Sequence, residues 1–107
     1  MFSNASTTKQ VDMFPGVSRR TMNSGEHTTL VEVFIDKGGV VPAHSHPHEQ
    51  IGYVVKGRAL FEVGDERREL VAGDSYLIPG GVTHKVTGIE PTVAIDIFSP
   101  VRTEYLD

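Results

Sequence analysis

The sequence predicts an all-β domain, and three observations lead there. Short runs rich in β-branched and aromatic residues, among them Leu30–Ile35, Ile51–Val55, Ala59–Val63 and Thr92–Phe98, recur at a spacing of about 8 to 12 residues. Glycine, proline and aspartate turn signals stand between them. No apolar pattern has a period near 3.6, so no helix is expected. A sandwich or closed barrel satisfies all three.

The elements follow in order. Residues 1–24 form an N-terminal arm or extended strand, polar and Ser/Thr-rich over the first dozen residues and free to add to a neighbouring copy. Phe14-Pro15-Gly16 is a turn within it, and Arg19 to Met22 a short strand. The barrel occupies 25–107. Leu30 to Ile35 is a strand ended by Asp36-Lys37-Gly38-Gly39, and a strand bearing histidines comes next. Pro47 is expected to break that strand, since proline donates nothing to a ladder. Strands then flank Gly57, and Gly64-Asp65 makes a two-residue hairpin leading into the more polar strand Glu66 to Val71. Ser75 to Ile78, a bend at Pro79-Gly80-Gly81, Val82 to Val86 and Thr92 to Phe98 complete the pattern.

Composition narrows the function. A chain of 107 residues has room for one core and one domain, and barrels this small often bury more surface by pairing, so a homodimer is expected. The formal net charge of −4 comes with no basic cluster, which argues against nucleic acid as a partner. No apolar run nears the roughly 20 residues needed to cross a bilayer, and the first ten residues are not a signal peptide. With no cysteine there is no disulfide, thiolate nucleophile or Cys-type zinc site. The expected location is the cytoplasm.

The chemistry gathers at Pro42-Ala-His44-Ser-His46-Pro-His48-Glu-Gln50, which holds three of the five histidines. Side chains alternate along a strand, so His44 and His46 point the same way, an arrangement of neutral nitrogen donors suited to transition metals. Whether Gln50 shares their face cannot be settled by parity across Pro47. The block reads Gly38, five residues, His44-x-His46, three residues, Gln50, six residues, Gly57; downstream lies Gly73-x5-Pro79-x-Gly81-x2-His84.

These two blocks resemble the signature motifs of the cupin superfamily, small metal-binding β-barrels with a jelly-roll, or double-stranded β-helix, fold. Gln50 stands where the family usually has a glutamate ligand, and Gly88 where an asparagine often closes the second block. The resemblance implies a divalent transition metal (Ni, Fe, Mn, Co or Zn) held by His44, His46, Gln50 and His84. His48 is read as supporting the ligands from behind or lying at the surface, and His27 as surface decoration. Together with Tyr53-Val-Val-x-Gly57 and Asp96-Ile-Phe98-Ser-Pro100-x-Arg102, the histidine block is similar to the KdgF group of cupins from pectin and alginate breakdown. That group is described as taking unsaturated monouronates to their linear keto form.

Within Val93-Ala-Ile-Asp-Ile-Phe98, the positions Val93, Ile95 and Ile97 make one apolar face, leaving Ala94, Asp96 and Phe98 on the other. If the latter face lines the barrel, Asp96 is a candidate proton carrier beside the cation; otherwise it faces solvent or pairs with Arg102. Arg102 has the planar fork that suits a substrate carboxylate, and Phe98 is either an apolar wall for a sugar ring or ordinary core. Arg19 and Tyr53 are further possible pocket residues. The expected ligand is a small anionic sugar acid, turned over by a metal-dependent isomerase that needs no oxygen. The rivals are an Fe- or Ni-dependent dioxygenase and a non-catalytic binder of metal or sugar acid.

Overall fold

The computed structural model describes residues 1–107 and contains ten strands. They are β1 (Gln10–Phe14), β2 (Val17–Ser24), β3 (Thr29–Ile35), β4 (Val40–His44), β5 (Glu49–Lys56), β6 (Arg58–Val63), β7 (Glu66–Val71), β8 (Ser75–Ile78), β9 (His84–Gly88) and β10 (Thr92–Ser99), followed by a single 3₁₀ turn at Thr103–Tyr105. All pairings are antiparallel. One sheet has the order β1-β2-β3-β10-β5-β8 and the other β4-β9-β6-β7, enclosing one interior as a jelly-roll barrel. No helix is long and apolar enough to cross a membrane.

Residues 10–24, within the segment expected as arm or extended strand, form a hairpin about Pro15-Gly16 that pairs through β2 with β3 of the same chain. Gly16 supplies the positive φ of 74° at that turn. Val17 and Arg19 then alternate inwards, and Val17 joins the core. The strand expected from Val82 begins instead at His84, because the bend after Pro79 extends two residues further.

Burial along the strands divides the interior into two halves. On β5, Val54 is apolar and fully covered while Gln50, four residues back, is covered and polar. The same gradient runs from Val86 to His84 on β9 and from Ala94 to Asp96 on β10. Val17, Ile35, Val54, Ala59, Phe61, Leu70 and Val86 pack into one apolar cluster, each fully covered side chain contributing about 1.5–3 kcal/mol. The polar half cannot be stabilised in that way, so its side chains depend on specific partners.

Candidate metal centre and cavity

His44 ends β4, His84 opens β9, and the two are direct partners in the ladder. Their rings lie with centroids 4.3 Å apart. β4 is an edge strand whose register slips between Val41 and His44, which accommodates Pro42. The Pro42 carbonyl then accepts from His44 Nδ1 at 2.9 Å, and the Val82 carbonyl accepts from His84 Nδ1 at 2.9 Å. His46 lies just past β4, its Nδ1 donating to the carbonyl of His48 at 3.0 Å. The glycine-rich bend secures this loop: Gly81 N–H donates to the His46 carbonyl at 2.8 Å, and a Cβ on Gly80 would strike the Pro47 carbonyl.

A carbonyl oxygen only accepts, so each of the three rings carries its proton on Nδ1 and leaves Nε2 with a free lone pair. One ligand atom from each histidine lies within 4.8 Å of the others. Burial lowers the pKa of His46 and brings that of His84 down to about 4, so both are neutral near pH 7. Gln50 Oε1 sits 3.0 Å from His46 Nε2, bringing two acceptors face to face. A cation between them relieves that contact, and the donor set therefore fits a divalent transition metal.

His44, Gln50 and His84 border a cavity also lined by Asp96, Phe98, Arg102, Tyr76 and Tyr105. Asp96 is buried, and Tyr76 Oη donates to its Oδ1 at 2.5 Å. Burial raises its carboxyl to about 6, against the opposing effects of hydrogen bonding by Tyr76 and Gln50 and of the Arg102 charge. Arg102 is also covered; its Cζ lies 4.7 Å from the Phe98 ring centroid and 4.1 Å from that of Tyr105. Nε donates to Glu104 at 2.8 Å, leaving the terminal nitrogens of the fork for a ligand.

Residues 31–98 match the family model described as a cupin domain. This chain is a cupin. It is 33% identical over 93 residues to the pectin degradation protein KdgF of Dickeya dadantii, covering 85% of this chain and 84% of that protein. The structure of KdgF from a Halomonas species superposes with a TM-score of 0.92 at 34% identity, covering 99% of this chain and 100% of that one. An RmlC-like cupin from Shewanella frigidimarina gives the same score at 31% identity, over 98% and 95% of the two chains.

The cupin brings together all the residues singled out for the site: His44, His46, Gln50, His84, Asp96, Phe98 and Arg102. Alternation survives Pro47: His46, His48 and Gln50 are covered while Ser45, Pro47 and Glu49 are exposed. Pro47 interrupts the ladder but not the inward and outward rhythm of the chain. His48 is therefore buried rather than superficial; its carbonyl orients His46, and its own Nδ1 has no partner. Asp96 neither faces solvent nor forms an ion pair with Arg102; it accepts from the Tyr76 hydroxyl, and Arg102 pairs with Glu104. Arg19 lies behind the cavity, held by Asp107 at 2.8 Å and stacked 4.3 Å from the Tyr105 ring centroid. Tyr53 points outwards and is 49% exposed. Sequence reasoning passed over Tyr76 and Tyr105. A glycine at position 52, inside a strand, was the available sign that something bulky approaches there.

Proposed function

We propose that this cupin is a metal-dependent isomerase that opens the ring of an unsaturated monouronate, a product of pectin or alginate breakdown, to its linear keto form. The observation carrying this reading is that a buried carboxyl and a covered arginine fork share one cavity with His44 and His84 of the three-histidine cluster. Similarity to KdgF proteins supports it.

His44, His46, His84 and Gln50 would hold the ion, which when bound supplies Lewis acidity undiminished by any ligand charge. Arg102 offers its free terminal nitrogens to the substrate carboxylate. Phe98, fixed beneath the guanidinium, presents an apolar wall to the sugar ring. Asp96 accepts the proton of the anomeric hydroxyl as the bond from the anomeric carbon to the ring oxygen breaks. It returns that proton to the enol carbon, where the double bond becomes a C–H and the former ring oxygen becomes a ketone. One proton moves and no electron is lost, so oxygen is not consumed. A carboxyl with a pKa near 6 exchanges protons readily near neutral pH.

The test is loss of the substrate's ultraviolet absorbance when metal-loaded protein meets unsaturated galacturonate or guluronate monomer. Steady turnover without oxygen uptake is expected; turnover that consumes oxygen would make the protein a dioxygenase.

A second copy of the chain is the partner assigned to the outer face of the larger sheet. Ile51, Tyr53, Val55, Leu77 and Ile97, each 40–54% exposed, crowd that face. The smaller sheet instead carries ion pairs, Arg58 with Glu69 at 3.2 Å and Arg67 with Glu62 at 3.9 Å. Covering the apolar patch removes on the order of a few hundred Å² per copy, and its rim supplies the rest of the roughly 800 Å² that a stable pair needs.

A further inference from the structure

Three residues on the inward face of the larger sheet form one row. The ladder pairs Asp96 of β10 with Gly52 of β5, and Gly52 with Tyr76 of β8. Adjacent strands lie about 4.8 Å apart, so the backbones of Asp96 and Tyr76 are separated by roughly 10 Å. A side chain on the middle strand would ordinarily fill that interval. Gly52 has none, and the Tyr76 ring occupies the space: a Cβ added at Gly52 would collide with the hydroxyl end of the ring. The ring thus passes over the middle strand, backed by Phe61 at 4.4 Å between centroids, and its hydroxyl reaches Asp96 Oδ1.

We propose that Tyr76 is the positioning residue for Asp96, and that Gly52 is the gap in the sheet that allows it to reach. The proposal rests on the isomerase reading of Asp96. A carboxyl group is free to turn about its Cβ–Cγ bond unless one oxygen is held. Gln50 hydrogen-bonds the same carboxyl and shares in holding it; the phenol fixes Oδ1, which sets the direction of Oδ2 as the oxygen that exchanges a proton with substrate. Burial and the neighbouring carboxyl push the phenol well above its usual range, so Tyr76 remains a donor. Phe61 and Gly52 set the ring from its two sides, so the aim of the carboxyl depends on residues in the other sheet and the middle strand.

The experiment measures kcat, KM, metal content and melting temperature for Tyr76→Phe, Gly52→Ala and the double variant. Tyr76→Phe keeps the ring and its packing. It is expected to lower kcat about 10- to 100-fold with KM and metal content unchanged. Gly52→Ala displaces the ring, and a comparable loss of kcat is expected. The double variant should be within about 2-fold of Gly52→Ala, because both changes break one connection. A wild-type kcat in Tyr76→Phe overturns the proposal, as does a loss that appears only in KM or metal content, or losses that multiply in the double variant. Tyr76→Phe decides the matter where Gly52→Ala fails to accumulate. Asp96→Asn separates the two levels: if it is inactive while Tyr76→Phe is normal, the positioning role alone falls. If Asp96→Asn turns over normally, the isomerase reading falls and takes this proposal with it.

Discussion

Each imidazole of the proposed centre has its Nδ1 proton committed to a main-chain carbonyl, so its coordinating nitrogen is aimed before any ion arrives. His44→Ala or His84→Ala should release most bound metal, which elemental analysis of the purified variants checks. Asp96 makes a second prediction. Its carboxyl is raised to about 6 from 3.8, so the folded chain holds that proton more tightly than the unfolded one. The associated stability is present below about pH 4 and is lost as pH rises through 6. His84, depressed to about 4 from 6.5, has the opposite effect: stability present above 6.5 is lost as pH falls towards 4. In metal-free Asp96→Asn the carboxyl's contribution is gone and the histidine effect is unopposed by it. Urea unfolding should therefore show stability rising more steeply between pH 4 and 6 than in the wild type. At pH 7 the variant should be more stable by on the order of 2 kcal/mol, while turnover is lost. The clustering of His44, His46 and His84 was legible because spacing and residue type together are restrictive. Tyr76 was not, because reaching Asp96 depends on strand order rather than on anything local to Ser75–Ile78.

At the scale of elements, the passage of the chain from β5 in the larger sheet to β6 in the smaller one turns on a single residue. Gly57 has φ of 95°, and a Cβ there would collide with the Pro91 carbonyl and with Thr92. Gly57→Ala should lower stability by about 2 kcal/mol or more, read as a fall in melting temperature, through both backbone strain and that collision. Strand runs and turns could be read because glycine and aspartate mark tight reversals in any context. Thin apolar content in the N-terminal segment leaves arm and extended strand open, with only Arg19 to Met22 legible as a short strand; Val17 and Arg19 are held by what lies opposite, which a local pattern does not reveal. Pro47 misled for a related reason, since losing a ladder hydrogen bond and losing alternation are separate events.

Across the whole molecule, the larger sheet presents an apolar patch to solvent over β5, β8 and β10, while the smaller sheet is laced with ion pairs. Ile51→Lys should convert the expected dimer to a monomer without unfolding it, observed as a halved mass by light scattering. Topology was available only through the resemblance, because nothing in a single strand specifies that β10 lies between β3 and β5. The division of the interior has a consequence for engineering. Because the main apolar cluster lies in the hydrocarbon half, the polar side chains of the other half should accept new residues, provided that Ile35, Phe61 and Val86, which belong to both cluster and cavity wall, are kept. Replacing its donors by aliphatic side chains should yield an inert but hardier shell, and re-equipping that shell is a practical route to catalysts this chain never encoded.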